Sequence, residues 1–213
     1  MAMKVKTRVT DWLPTRQSLL VRLKNWDDSA SWQEFFDRYS KLIYGVAIKA
    51  GLSDAEAQEV VQETMVSVSK KMPEFKYDPS IGSFKGWLLH MTHWRINDQL
   101  RKRKRDAVLM RSRETATKRT ATLEKIPDPA GAGLDEIWEE EWEKNITEMA
   151  MDRVKTQVSP KQYQIFNLYV MKKWPMNKIS EALGVNMGQI YLAKHRVGGV
   201  LKREIKQLES RMI

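Results

Sequence analysis

The chain of 213 residues contains no cysteine. Disulfide staples, zinc ribbons and thiol nucleophiles are therefore excluded. Histidine is almost as scarce, with three in the whole chain: His90, His93 and His195. His90 and His93 stand at i and i+3, a spacing that suits a metal, but no carboxylate joins them on that helical stripe, so no metal site is expected. There is no glycine-rich phosphate loop and no carboxylate cluster for two-metal chemistry, so neither catalysis nor a cofactor is expected. No stretch approaches the ~18 consecutive apolar residues of a membrane span, so membrane insertion is not expected. Residues 1–10 are basic but lack an apolar core, which is not the pattern of a secretory signal. A reducing cytoplasm is the expected compartment. No alternating apolar–polar segment is long enough for a sheet, which leaves an all-α chain.

What the chain has in excess is positive charge, +10 overall. The cations are clustered: residues 95–119 and 194–211 are strongly basic, and 124–143 between them is acidic. A merely soluble surface would intersperse its signs, so an acidic polymer, nucleic acid, is the first partner to consider. A bland solvated surface is the alternative.

Apolar spacing places helices over Thr15–Leu23 (Leu19, Leu20, Leu23) and Ser31–Ala50 (Trp32, Phe35, Phe36, Tyr39, Leu42, Ile43, Val46), the second closed by Gly51. Ser53 reads as an N-cap with Glu56 in the capping-box position, opening a helix that Pro73 stops after Met72. A loop over Glu74–Ser83, with Asp78-Pro79 and Gly82, leads to a helix over Phe84–Arg105. Residues 106–133 lose apolar content and gain Ala, Thr, Pro and Gly, so they read as a flexible linker. Leu134, Trp138, Trp142, Ile146 and Met149 then form a helical stripe, and Ser159-Pro160 reads as a cap with proline at the first helical position. Two small helical domains are expected, over residues 15–105 and 134–208.

The helix over Phe84–Arg105 is the most informative. At ~100° per residue, Phe84, Trp87, Leu88 and Met91 share one apolar side, and Leu89, Ile96 and Leu100 a second. His90, His93, Trp94, Asn97, Arg101 and Lys104 form a third stripe of hydrogen-bonding groups, a stacking ring and charge. That combination suits a phosphate backbone and exposed bases.

Met176 to Ile190 has helix-turn-helix spacing. Ile179 and Leu183 pack inward, Gly184 supplies a positive φ, Val185 is the buried turn residue and Asn186 caps the second helix. Ile190, Ala193, Val197 and Leu201 return to the core. Gln189, Tyr191, Leu192, His195, Arg196, Lys202 and Arg203 are left outside, a division suited to a major groove. An ordinary helical hairpin is the alternative. Gly198-Gly199 implies either a weakened helix or a close backbone approach, since each glycine costs ~1 kcal/mol relative to alanine.

On the helix from Asp54 to Met72, Ala57, Val60, Val61, Met65 and Val68 share a buried face. Glu56, Glu59, Gln62 and Glu63 lie opposite. In a chain directed to a polyanion this acidic face is either simply solvated or a docking surface for a basic protein.

Taken in order, these features resemble bacterial RNA polymerase sigma factors of the extracytoplasmic-function (ECF) group. Val61-Gln62-Glu63-Thr64-Met65 resembles the core of the region 2 helix, and Phe84-Lys85-Gly86-Trp87-Leu88 with Asp98 and Arg101 resembles the F-x-x-W-L…D-x-x-R pattern. Ser159-Pro160 to Leu201 is similar to region 4. Tyr191 to Val197 resembles most a subgroup common in planctomycete-like bacteria. The resemblance covers about Thr15 to Leu208.

It implies a region 2 helical bundle and a region 4 helix-turn-helix joined by the linker, with no catalysis of their own. It implies that Glu56, Glu59, Gln62 and Glu63 meet the clamp coiled coil of the largest subunit of core RNA polymerase. His90, His93, Trp94, Asn97, Arg101 and Lys104 would then contact and open the −10 element, and the outer residues of the C-terminal helix would read the −35 element. The partners implied are core polymerase and promoter DNA, double-stranded and melted, in a cytoplasmic, nucleoid-associated protein; an anti-sigma factor is left open. The linker and Glu139-Glu140-Glu141 would lie along the path of template or nascent RNA, the alternative for the acidic run being helix-dipole complementation and solvation. Departures are Trp94 where most ECF sequences have Asn, His90 and His93 where Arg is common, Tyr191 and Ala193 for the commoner Lys and Arg, and Ser180 at a small-Ala position. Trp94 is either a stacking platform or a packed core ring. The competing functions are a two-domain DNA-binding regulator that never joins polymerase and a nucleic-acid enzyme.

Overall fold

The computed structural model describes residues 17–76, 82–114 and 131–211. The ends of the chain, the Asp78-Pro79 turn and most of the expected linker lie outside the described residues. Among the described residues every regular element is helical, in agreement with the all-α reading. None of these helices is long and apolar enough to cross a membrane. Two compact units divide at Thr147 and Glu148.

In the first unit, α1 spans Gln17–Arg22, α2 Ser29–Lys49, α3 Asp54–Lys71 and α4 Phe84–Glu114. The start of α2 is fixed by Asp28, whose carboxylate accepts from the Ser31 backbone N–H at 3.0 Å and from its hydroxyl at 2.7 Å. Gly51 follows the helix at φ +86°, a conformation that a Cβ would strain. Ser53 and Glu56 form the expected capping box at the start of α3. A single 3₁₀ turn over Met72–Glu74, carrying Pro73, ends that helix.

The core of this unit is a chain of rings. Phe35, Tyr39, Phe84, Trp87 and Phe75 meet with centroids 4.6–6.3 Å apart, and Trp142 stacks on Tyr39 at 6.2 Å. Three apolar assignments differ from expectation. Phe36 is exposed, because only one face of α2 meets the other helices. On α3 the buried residue is Thr64 rather than Met65, which is half-buried. On α4, Thr92 and Gln99 are buried between the apolar residues, and the Thr92 hydroxyl donates back to the Leu88 carbonyl at 2.9 Å.

The boundaries also differ. α4 continues through residue 105 to Glu114, since its cationic run has no helix breaker. The next helix, α5, spans Gly131–Gln157, and its first half packs with the first unit. Leu134, Trp138 and Trp142 are all buried there. Residues 106–114 and 131–133 of the expected linker are helical, and the apolar stripe expected to open the second domain packs with the first unit as far as Thr147.

The second unit holds the last turns of α5, then α6 (Pro160–Phe166), α7 (Met176–Leu183) and α8 (Met187–Arg211). Ser159 caps α6 with Pro160 at its first position. A π-helical turn over Asn167–Met171 follows, closed by the Lys172 N–H donating to the Asn167 carbonyl at 2.9 Å. One core joins Met151, Val154, Phe166, Val197 and Val200. A second joins Ile165, Ile179, Val185, Ile190 and Ala193. Arg153 and Gln157 of α5 both reach Glu204 of α8, at 3.2 and 2.7 Å.

Trp138 is fully buried and stacks on Trp142 at 5.8 Å. Trp138→Ala is expected to destabilise the first unit by about 3–5 kcal/mol, read from urea unfolding. A loss under ~1 kcal/mol would show that α5 is not part of this core.

Candidate functional surfaces

The acidic face of α3 is not left open to solvent. α4 runs antiparallel beside it, as the order of paired residues requires, and sets three cations against its carboxylates. Arg103 clasps Glu56 with Nε 2.9 Å from the carboxylate, and its other arm reaches the Gly51 carbonyl at 3.0 Å. Lys102 lies 3.3 Å from Glu59 and 3.5 Å from Glu63. Arg95 lies 3.2 Å from Glu63 and donates to the Ser67 hydroxyl at 2.6 Å.

Of the face read as either solvated or docking, Glu56, Glu59 and Glu63 are therefore engaged by cations of α4. The Glu63 and Glu56 side chains keep only 28% and 24% of their exposure, whereas Glu59 keeps 49%. Gln62 and Val66 are exposed. The open face of α3 thus centres on Glu59, Gln62 and Val66 at i, i+3 and i+7. Sequence reasoning missed Val66 because it is apolar. Being off the buried stripe was the signal that could have found it.

α4 presents a second, outer face. Trp94 is 59% exposed and is not a core ring. The Arg95 guanidinium lies 4.4 Å from its centroid in a cation–π contact. His90, Arg101 and Lys104 are exposed. His93 departs from the stripe: it is mostly covered, with Nε2 3.7 Å from the Asp135 carboxylate of α5. Asn97 is half-buried, and its amide oxygen is enclosed without a hydrogen-bond partner. The structure thus brings His90, Trp94, Arg101 and Lys104 to the surface and turns His93 and the Asn97 oxygen away from it.

The acidic run of α5 has a role that neither sequence reading contained. Glu139 meets Lys85 at 2.5 Å, and Glu140 and Glu141 meet Lys49 at 2.8 and 3.1 Å. Glu141 is buried against Gly45, where a Cβ would come within 2.4 Å of its carboxylate oxygen. Lys85 also lies 5.3 Å from the Trp142 ring. All three carboxylates tie α5 to α2 and α4; Glu141 is buried, while Glu139 and Glu140 remain exposed to solvent.

In the second unit Gly184 adopts φ 59°, which turns α7 into α8, and Val185 is buried beneath the turn. The Ser180 hydroxyl donates to the Val185 carbonyl at 2.5 Å, so a serine here fastens the turn. Asn186 caps α8 reciprocally with Gln189, each side-chain oxygen accepting from the other's backbone N–H, at 2.8 and 3.0 Å. Gln189, Tyr191, Leu192, His195, Arg196, Lys202 and Arg203 are all exposed on α8, Leu192 at 69%. Gly198-Gly199 does not interrupt the helix. A Cβ at Gly198 would meet only the Phe166 ring, at an ordinary 3.9 Å, and one at Gly199 would meet nothing. No close backbone approach is present at either glycine.

Comparison with known proteins falls on this first unit. Residues 35–106 match the family model described as Sigma-70 region 2, a span that contains α3 and the paired part of α4. A 74-residue stretch is 32% identical to the ECF RNA polymerase sigma factor SigK of Mycobacterium bovis (strain BCG / Pasteur 1173P2), over 35% of this chain and 38% of that protein. SigK of Mycobacterium tuberculosis (strain ATCC 25618 / H37Rv) matches with the same figures. The chain spans well under half the length of these relatives.

Two expectations follow. Arg103, with the Ser53 cap, holds the Glu56 carboxyl at about 2, well below its ordinary 4.5. A carboxylate depressed in the folded state stabilises fully above its ordinary value and loses that contribution as pH falls toward about 2. Glu56→Gln is therefore expected to cost about 1–2 kcal/mol at neutral pH, the gap to wild type closing below about pH 4.5. A gap that persists at pH 2 would show that the carboxylate charge is not the cause. Trp94→Ala, by contrast, is expected to shift unfolding by under ~0.5 kcal/mol, because the ring supports no core.

Proposed function

We propose that this chain is an alternative sigma factor of the ECF kind, which binds core RNA polymerase and directs promoter recognition and transcription initiation. The observation that carries this reading is the Sigma-70 region 2 match over residues 35–106, which encloses both α3 and the Trp94-bearing segment of α4. On this reading the open face of α3 around Glu59 and Gln62, with Val66, docks on the clamp coiled coil of the largest polymerase subunit. The apolar Val66 supplies buried contact and Glu59 supplies charge toward a basic partner.

His90, Trp94, Arg101 and Lys104 contact the −10 element. The exposed indole stacks on a displaced base, and the cations grip phosphates. The exposed face of α8, from Gln189 to Arg203, reads the −35 element in the major groove. Leu192 and Tyr191 there favour apolar contacts such as a thymine methyl over an all-cationic surface. The chain works without catalysis, in the cytoplasm at the nucleoid. Tyr191 to Val197 is the feature that favours a planctomycete-like subgroup. An anti-sigma factor that covers the α3 face is a further partner of this reading.

The second reading, a DNA-binding regulator that never joins polymerase, is favoured only by the two separate cationic surfaces. It gives no role to Glu59, Gln62 and Val66. Pull-down of bacterial core polymerase followed by in vitro transcription over a genomic library separates the two. The expected result is a stoichiometric complex with start sites absent from core alone. DNA binding without core binding would establish the regulator.

Glu59→Gln combined with Gln62→Ala is expected to weaken core binding at least tenfold, with stability lowered by no more than ~1 kcal/mol, because only the partly solvated pair of Glu59 with Lys102 is lost. Glu63→Lys is expected to lower stability instead, since it would set a third cation beside Arg95 and Lys102. Undiminished core affinity in a folded Glu59/Gln62 variant would remove this face from the interface.

A further inference from the structure

The first turns of α8 are short of charge. From Val185 to Ala193 no residue carries a charged side chain, and the first cation of the helix is Lys194. Ile190, Ala193 and Val197 are buried and fix the helix phase. Gly188, Tyr191, Leu192 and His195, at i, i+3, i+4 and i+7, lie opposite that core, and all four are exposed. Tyr191 and Leu192 keep 64% and 69% of their exposure. Neither of the two cores of this unit includes them. Gly188 puts no side chain at the outer edge of the first turn, so the backbone there can approach a surface closely.

Gln189 sets a polar group beside this apolar pair. Its side-chain oxygen accepts from the Asn186 N–H at 3.0 Å, so its amide N–H groups are what it offers outward. The cations stand apart. Lys194 rests over the Tyr169 ring, 5.4 Å from its centroid, and Arg196, Lys202 and Arg203 follow on later turns.

From this division we propose that α8 reads thymine methyl groups in the −35 element, a specificity that deepens the sigma-factor reading and rests on it. In the major groove only thymine presents a methyl group, and beside it an O4 acceptor. Tyr191 and Leu192 pack on the methyls of neighbouring thymines, and the Gln189 amide donates to O4. Guanine meets no arginine in these turns, so the commonest base contact is missing. Cytosine turns an amino donor toward an apolar surface and the Gln189 N–H groups, where it finds no acceptor. The cations from Lys194 onward hold phosphates, which adds affinity without base preference. Specificity and affinity are thus divided along one helix.

The probe is a duplex of the strongest promoter from the genomic-library transcription, labelled with fluorescein. It is titrated with the full chain in complex with bacterial core polymerase. In a second probe every −35 thymine, on both strands, is replaced by deoxyuridine, which keeps the base pair and O4 and removes only the methyl. Each contacted thymine so replaced is expected to weaken binding about fourfold, as burial of one methyl implies. Leu192→Ala is expected to weaken binding to the thymine probe and to bring the thymine/deoxyuridine ratio toward one. An effect of the lost methyl on DNA shape would survive Leu192→Ala, whereas a direct contact would not. Arg196→Ala is expected to weaken both probes equally, with a shallower salt dependence and an unchanged ratio. Circular dichroism of the free variants checks that α8 is intact.

Equal affinity for the two probes would overturn the methyl readout and leave the sigma-factor reading intact. So would a folded Leu192→Ala chain that loses the same factor on both probes. Undiminished promoter binding by that variant would assign the apolar pair to another partner and overturn the proposal. A wild-type chain that directs no initiation with core polymerase would overturn both readings.

Discussion

The contact on which the first unit depends is the ion ladder between α3 and α4. α4 carries more positive charge than a helix packed against neighbours can easily hold, because like charges brought together raise the free energy of the compact state. α3 supplies the counter-charges in register: Glu56 to Arg103, Glu59 to Lys102, Glu63 to Arg95 and Lys102. Each pair is partly solvated and individually worth little, but together they set the rotation of α4 about its axis. That rotation decides which cations remain outside. With Arg95, Lys102 and Arg103 paired to α3, the last of them still exposed, Trp94, Arg101 and Lys104 are left on the solvent side. The outer face is thus a consequence of the inner one.

The first half of α5 extends the same logic. A cationic α2 end and α4 start, Lys49 and Lys85, receive Glu139, Glu140 and Glu141. Beneath them Trp138 stacks on Trp142, and Trp142 on Tyr39, whose burial pushes its phenol above the ordinary tyrosine range. Apolar area supplies the stabilisation and the carboxylates supply the register. A Cβ at Gly45 would come within 2.4 Å of a Glu141 carboxylate oxygen, so that carboxylate would have to shift.

Much of this was legible in the sequence for identifiable reasons. Capping chemistry is local, so Ser53 with Glu56, Ser159 with Pro160, and Gly184 all stand where spacing alone put them. The outer face of α8 was legible because Ile190, Ala193 and Val197 fix the helix phase. What was not legible depends on pairing between distant elements. Nothing within α3 distinguishes a solvated glutamate from one clasped by a cation 47 residues later, as with Glu56 and Arg103. The departure of His93 from its stripe has the same origin, since Asp135 arrives from another helix. Which unit the apolar stripe from Leu134 covers is likewise a matter of docking, not periodicity.

The pattern of internal neutralisation also explains how a chain of net charge +10 keeps its positive surfaces selective. Carboxylates at Glu56, Glu63, Glu141 and Glu204 are drawn inward onto cations of neighbouring helices. They are thereby removed from the faces where they would repel a polyanion. On α8, Glu204 turns to Arg153 and Gln157 while Arg196, Lys202 and Arg203 remain exposed on the same helix. On α4 the inward cations are matched and the outward ones lie beside an exposed ring. Sorting by helix face thus turns a modest excess of charge into two concentrated cationic surfaces. At physiological ionic strength screening acts over about 8 Å, so only charges gathered on that scale act together on a phosphate backbone. A chain with the same composition but unsorted carboxylates would carry the same net charge without either surface.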